Sequence, residues 1–369
     1  MRDASVMEAP RVWPTAEAFH ALIRGERHGP VAALARLGLR LASWPYALGV
    51  WWRNRRYDRG KSVRRAAVPV LSVGNLTLGG TGKTPCVEYA ARFYRDLGIQ
   101  VAILSRGYGS DRGRNDEAMV LEENLPDVPH LQGPDRVTLA DTAVEELESE
   151  LLILDDGFQH RRLHRDLDIV LIDATCPPHR DYLFPRGTLR EPASSLRRAG
   201  VIVLTRCDQV EPAALDATRR WLTDRFPGKP VVATEHRPTD LIGGTEPESV
   251  EIETLRSRPV AGFCGIGNPA AFRRTLEGLG ATVVEFRSFP DHHPYTHEDV
   301  DDLRAWTDRL PADAVVATTQ KDWVKLRLPD LAGRPLRAVR IGLAFRDGQA
   351  AFDEVLRRVV PTDADNTTD

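Results

Sequence analysis

A run of six residues, Gly79-Gly80-Thr81-Gly82-Lys83-Thr84, constrains this chain more than any other part of it. It follows residues 68–73 (VPVLSV), a short apolar run rich in β-branched side chains that reads as a buried strand. It precedes residues 85–97, which read as a helix with Pro85 in the first turn and Gly98 just past the end. Strand, glycine-rich loop and helix together make a phosphate cradle. Glycines let backbone amides curl around an anion with no Cβ in the way, and the helix N-terminus adds partial positive charge. In such a loop Lys83 reaches the terminal phosphates of a nucleotide and Thr84 ligates Mg²⁺. Gly79, Gly80, Thr81, Gly82, Lys83 and Thr84 are therefore the expected nucleotide-binding residues. The strict pattern asks for glycine at position 77, where this chain has Thr77.

Further apolar runs at 101–105, 151–154, 169–172 and 201–205 read as strands, and 135–148 reads as a helix. Strands alternating with helices imply a parallel sheet covered on both faces, with ligands at the carboxyl ends of its strands. The expected fold class is α/β: a P-loop NTPase-like parallel sheet domain, a second, smaller α/β domain, and an N-terminal amphipathic membrane-interface helix. The expected boundaries are an arm over 1–65, the P-loop domain over 66–205, a connecting region over 206–257, the second α/β domain over 258–360, and a polar, disordered tail over 361–369.

The arm has a pattern of its own. Leu34, Leu37, Leu41, Trp44, Leu48 and Trp51 recur every three or four residues, a helical apolar stripe. Pro45 is expected to kink or divide that helix. A basic cluster follows: Arg53, Arg55, Arg56, Arg59, Lys61, Arg64 and Arg65. Apolar face, tryptophans and then arginines describe a helix lying in an anionic membrane interface; a helix packed on its own domain with a solvated basic end is the plainer alternative. No stretch reaches the roughly 20 apolar residues of a spanning helix, and the start of the chain has no signal-peptide core.

A second candidate site element is Leu151-Leu152-Ile153-Leu154-Asp155-Asp156, an apolar strand ending in acid, as in P-loop sites where a carboxylate holds Mg²⁺ or its waters. Taken alone, it equally describes a solvated turn. Asn115-Asp116-Glu117 alone reads as a solvated acidic loop. Phe289-Pro290-Asp291-His292-His293-Pro294-Tyr295 puts histidine beside acid, a candidate general-base pair or a polar loop with a capping aspartate. Arg106, Arg136 and Arg190 are fixed charges whose guanidinium geometry suits phosphate oxygens. The net charge of −3 gives no global reason to expect nucleic acid. Four scattered cysteines suggest neither a zinc site nor a disulfide framework, and fit a reducing compartment.

Taken in order, these motifs resemble one family, the tetraacyldisaccharide 4′-kinases that act on the lipid A precursor. The matching strings are VGNLTLGGTGKTP (73–85), LSRGYG (104–109), DEAMVL (116–121), the DR at 135–136, LDDGFQHRRLHRDLDIVLID (154–173), LFPRGTLREP (183–192), GIGNP (265–269), FPDHHPY (289–295) and TTQKDWVKL (318–326). The resemblance spans roughly residues 35–345 by the order of those motifs. It implies transfer of the ATP γ-phosphate to the 4′-hydroxyl of a tetraacylated glucosamine disaccharide 1-phosphate, with Mg²⁺, at the cytoplasmic face of a bacterial inner membrane. It implies Asp116 as catalytic base and His292 as its partner, with Asp291 alongside and Lys83 on the phosphates. It further implies Thr84, Glu117, Asp155 and Asp156 at the metal, Gln159 near the nucleotide, and Arg136 and Arg190 near substrate phosphates. Asp116 and His292 fall in different expected domains, so the site is expected to assemble between them. Two departures stand out: Asn115 where the family usually has glycine, and Phe184-Pro185-Arg186-Gly187, which adds a charge to a turn that in the family is leucine–proline–alanine–glycine.

Two rivals share the cradle. A kinase for a soluble sugar-like acceptor would need no tryptophan-rich arm. A non-enzymatic nucleotide switch would want a guanine-specificity motif, of which Thr205-Arg206-Cys207-Asp208 is a faint echo lacking the Asn-Lys pair.

Overall fold

The structure, a computed structural model, describes residues 16–107, 115–243 and 248–360. Tyr108 and Gly109 of the LSRGYG string and the 361–369 tail lie outside the described residues. The chain divides into two compact units.

The larger unit holds the strands. They are β1 (Val70–Asn75), β2 (Val101–Ser105), β3 (His130–Gln132), β4 (Leu151–Asp155), β5 (Leu167–Asp173), β6 (Val201–Thr205), β7 (Val231–Gly243), β8 (Glu248–Val250), β9 (Pro259–Cys264), β10 (Thr282–Ser288), β11 (Val315–Thr319), β12 (Asp330–Leu331) and β13 (Arg334–Asp347). They form one sheet in the order β10-β9-β11-β13-β7-β6-β5-β1-β4-β2-β3, with β8 added on β7 and β12 on β13. From β3 to β7 every neighbour is parallel, and so is every neighbour from β13 to β10. The two parallel halves meet at an antiparallel seam between β7 and β13, running from Ala233↔Asp347 to Ile242↔Ala338. The β1, β2, β4 and β6 strands are buried along their whole length, as continuous apolar strands covered on both faces should be.

The helices of the described residues are α1 (Ala16–Arg24), α2 (Pro30–Asp58), α3 (Lys83–Asp96), α4 (Asp116–Asn124), α5 (Arg136–Glu145), α6 (Pro212–Arg225), α7 (Pro269–Gly278), α8 (His297–Thr307), α9 (Gln320–Leu326) and α10 (Gln349–Arg357). Two of them matter most for the site. The α4 helix is wedged between two cores. Leu121 and Leu125 pack with Leu71, Val87 and Tyr94 of the β1 half, while Val120 packs with Phe263, Val316 and Trp323 of the other half. The α9 helix packs along α4.

The smaller unit takes in α1, α2, Leu76–Gly79 and Cys176–Ser195. The α2 helix is one uninterrupted helix through Pro45. Pro45 deprives the Leu41 carbonyl of its amide donor, but Leu41 and Pro45 are both exposed, where solvent can serve instead. The other side of α2 is anchored to residues 183–191. Ser43 Oγ donates to the Leu183 carbonyl at 3.0 Å and Tyr46 Oη to the Arg190 carbonyl at 2.9 Å. Fully buried Glu191 accepts from Arg53, Asn54 and Ser195 at 2.8–2.9 Å. The apolar stripe is left bare: Leu34 and Trp44 are 70% and 71% exposed.

Candidate active site

The glycine-rich loop joins β1 to α3, as the sequence pattern requires. Gly82 is the N-cap of α3 with φ +81°, and a Cβ there would lie 2.1 Å from the His236 ring, so only glycine fits. The Thr81 carbonyl accepts from Thr205 Oγ1 and the Gly80 carbonyl from Arg206 Nη2, both at 2.9 Å. The end of β6 thus fixes the loop backbone, and Arg206 is held in turn by Asp173. Thr205-Arg206 therefore serves the phosphate loop. Gly79 is grouped with the smaller unit, and Gly80 to Thr84 with the larger.

Lys83 opens α3, and its Nζ lies 3.4 Å from Asp156 Oδ1. Asp156 takes a left-handed backbone, φ +53°, in the turn after β4. That strained position lets adjacent acids diverge. Asp155 is buried, and its Oδ1 has no hydrogen-bond partner among the described residues. Burial pushes the Asp155 carboxyl up to about 7; Lys83 opposes the shift, while Glu117 and Asp156 add to it. A buried carboxylate with an orphaned oxygen suits a cation. Among the described residues no group of three or more His, Cys, Asp or Glu is set to hold a metal by itself. Mg²⁺ beside a nucleotide needs only one or two protein oxygens, the rest coming from phosphates and water. Thr84 and Asp155 are the residues that fit it. Gln159 Nε2 donates to the Asn75 carbonyl at 2.9 Å, at the end of β1. Arg136 is buried at the first turn of α5, and Arg106 is exposed beyond β2. Arg190 belongs to the smaller unit, where its amide donates to the Leu76 carbonyl at 2.7 Å.

Asp116 and Glu117 form the first turn of α4. Asn115 is its N-cap, accepting from the Glu117 amide at 3.1 Å, which gives the departure from glycine a structural purpose. His292, with φ +58°, stands with Nδ1 2.9 Å from Asp116 Oδ2 and Nε2 3.9 Å from Asp291 Oδ1. Its neighbour His293 contacts Asp299 Oδ2 at 3.0 Å and stacks on Phe289, so of the two histidines it is His292 that meets Asp116. The hydrogen bond to Asp116 raises the His292 pKa, against the effect of burial. Burial would raise the Asp116 carboxyl, but His292 and Lys325 outweigh it and hold it below the usual carboxylate range. Glu117 is likewise lowered, burial being overcome by Lys321, whose Nζ lies 3.0 Å from Oε1, and by Lys83. Asp116, Glu117, His292, Lys83 and Asp155 all belong to the larger compact unit.

Sequence reasoning assigned no role to Lys321 and Lys325, although both stand in the TTQKDWVKL string. Arg186, singled out as a departure, is engaged inside the smaller unit. Its Nη1 donates to the Ile23 carbonyl at 2.8 Å, and its guanidinium lies 4.3 Å from the centre of the Tyr182 ring.

Comparison with known proteins supplies the context for this geometry. The family profile described as tetraacyldisaccharide-1-P 4′-kinase matches residues 35–361. A tetraacyldisaccharide 4′-kinase of Anaeromyxobacter dehalogenans (strain 2CP-C) is 42% identical over 351 residues, covering 90% of this chain and 92% of that protein. One from Syntrophus aciditrophicus (strain SB) is 38% identical over 308 residues, covering 76% and 82%. A crystal structure of LpxK from Aquifex aeolicus in complex with ATP is 33% identical, has a TM-score of 0.71, and matches over 88% of this chain and 99% of that one.

Proposed function

The chain belongs to the tetraacyldisaccharide-1-P 4′-kinase family, and on that premise we propose how its residues perform the reaction. It is a lipid A-pathway kinase that transfers the γ-phosphate of ATP to the 4′-hydroxyl of an acylated disaccharide 1-phosphate. The observation that supports the residue roles best is the Asp116–His292 contact in the same compact unit as Lys83 and Asp155.

Loop residues Gly79 to Gly82 bind the triphosphate with backbone amides, and the α3 N-terminus adds its dipole. Lys83 exchanges Asp156 for the terminal phosphates and offsets charge developing on the transferred group. Mg²⁺, when bound, neutralises phosphate oxygens. Thr84, Glu117, Asp155 and Asp156 are the residues that would hold it. Gln159 steadies the end of β1 beside the nucleotide. Asp116 accepts the proton of the 4′-hydroxyl. His292 orients that carboxylate and relays the proton toward Asp291. Arg136 and Arg190 are assigned to the phosphates of the substrates.

The arm brings this chemistry to a membrane. Leu34, Leu37, Leu41, Trp44, Leu48 and Trp51 are each more than half exposed on α2, whose far end carries Arg55 and Arg56. Burying six large apolar side chains in an interface is favourable by roughly 10 kcal/mol before ordering costs. No described helix is long and apolar enough to cross a membrane. We place the enzyme peripherally on the cytoplasmic face of the inner membrane, with anionic lipid as its partner and no nucleic acid. The bare stripe disfavours a soluble sugar as the acceptor.

The test is transfer of label from γ-labelled ATP to purified disaccharide 1-phosphate in mixed micelles, with wild type beside Lys83→Ala and Asp116→Asn. Label in the 4′-phosphorylated lipid, lost in both variants, is expected. Transfer to water-soluble sugars but not to the lipid would sink the reading.

A further inference from the structure

The carboxylate assigned as base is held by two partners, and only one of the two was expected. Lys325, in the last turn of α9, is 9% exposed, and its Nζ lies 3.0 Å from Asp116 Oδ2. The same ammonium donates to the His293 carbonyl at 3.1 Å and stands 3.6 Å from Asp322 Oδ1. Asp322 is fully buried and fixed through Oδ2 by the Gly265 amide at 3.0 Å and Thr319 Oγ1 at 2.6 Å. Asp322, Lys325 and Asp116 thus form a row alternating in charge, ended by the His292 imidazole. A lysine removed from water keeps its charge only with such acceptors, and it surrenders the freedom of a surface lysine.

The grip is one-sided. His292 and Lys325 both approach Oδ2, and among the described residues Oδ1 of Asp116 receives no hydrogen bond. We propose that Lys325 is a positioning residue for phosphoryl transfer: with His292 it holds Asp116 by Oδ2, so that Oδ1 is the oxygen presented to the acceptor hydroxyl. The inference rests on the reading of Asp116 as base. Loose phosphoryl-transfer transition states ask little of base strength and much of alignment, so a cation that weakens the base while fixing its direction is a net gain. One turn earlier on α9, Lys321 pairs with Glu117. Two lysines one turn apart thereby register two adjacent acids of α4.

The experiment is a steady-state double-mutant cycle on the full chain in mixed micelles, with wild type, Lys325→Met, Asp116→Asn and the double variant. Lys325→Met is expected to lower kcat by about 100-fold while both KM values stay within about threefold. In the Asp116→Asn background it should cost less than about threefold more, since a base that is gone needs no aiming. Lys325→Arg should recover at least about tenfold of the lost kcat. A merely structural tie between α4 and α9 would instead give losses that multiply across the cycle, and that result overturns the proposal, as does a loss confined to KM or a kcat near wild type. If Lys325→Met fails to bind ATP, the same cycle is run with Lys325→Arg, where multiplying losses again overturn it. An Asp116→Asn enzyme with wild-type kcat would instead refute the base assignment, a separate outcome.

Discussion

His292 Nδ1 stands 2.9 Å from Asp116 Oδ2 although 176 residues separate them. The contact exists because α4 is packed into both cores of the sheet, through Leu121 on one side and Val120 on the other. Asp116→Asn should lower kcat by about 10²–10⁴-fold, the usual range for a general base, and His292→Ala by less. In the Asp116→Asn background His292→Ala should change little. Initial rates at saturating ATP and lipid measure both.

Lys83→Ala should reduce single-turnover phosphoryl transfer by about 10²–10³-fold, the scale for losing one group aimed at transition-state charge. It also removes the positive charge that opposes the upward shift of Asp155, so that carboxyl should titrate higher still. Rapid-quench measurement with labelled ATP reads the rate.

Gly82→Ala combines a disfavoured left-handed backbone with a Cβ 2.1 Å from the His236 ring. The backbone strain alone costs about 1–3 kcal/mol, so ATP affinity should fall at least about tenfold. The added His236→Ala substitution should relieve the clash and restore part of it. Titration with a fluorescent ATP analogue reports the Kd.

The His236 imidazole is depressed to about 4 by burial, with Arg206 adding to the effect. A histidine kept neutral in the fold binds protons more readily once unfolded. Its contribution is therefore present above pH 6.5 and is lost as pH falls through 4. Wild type should lose stability over that window, by about 1–3 kcal/mol from this group, and His236→Gln should show a shallower slope. Thermal unfolding followed by circular dichroism between pH 7 and 4 decides it.

Leu41→Glu with Trp44→Glu should abolish co-sedimentation with anionic vesicles and raise the apparent KM for micellar lipid. Tm should move little, because these side chains are 58% and 71% exposed. A large fall in Tm would mean that the stripe is covered by protein.

The P-loop half was legible because its signals are local. The 101–105 and 201–205 runs became β2 and β6 without change, since continuous apolar, β-branched segments have few other uses. Lys325 was not legible. Its segment makes an ordinary short helix, and its acidic partner comes from far upstream on another helix. The 206–257 stretch read as a mixed connection, yet it carries β7, one of the two strands of the seam. Exposed polar residues in mid-strand and Pro238 hide it, and the pairing is irregular beside Pro238, between Val339 and Ile341. Pro45 misled in the opposite direction, its steric rule being relieved on an exposed turn of α2.

The position of β13 has a consequence for how the enzyme is made. This strand, Arg334–Asp347, follows all twelve other strands of the described residues in the chain yet lies in the middle of the sheet, between β11 and β7. Until the ribosome has released it, β7 presents a long unpaired edge, and the β9–β10–β11 group has no sheet connection to the half that binds the triphosphate. Lys325 emerges only just before it. A growing chain therefore gains the aimed carboxylate and the strand that joins the two halves almost together, and α10, later still, completes the core beneath α3, to which Phe352 and Leu356 contribute.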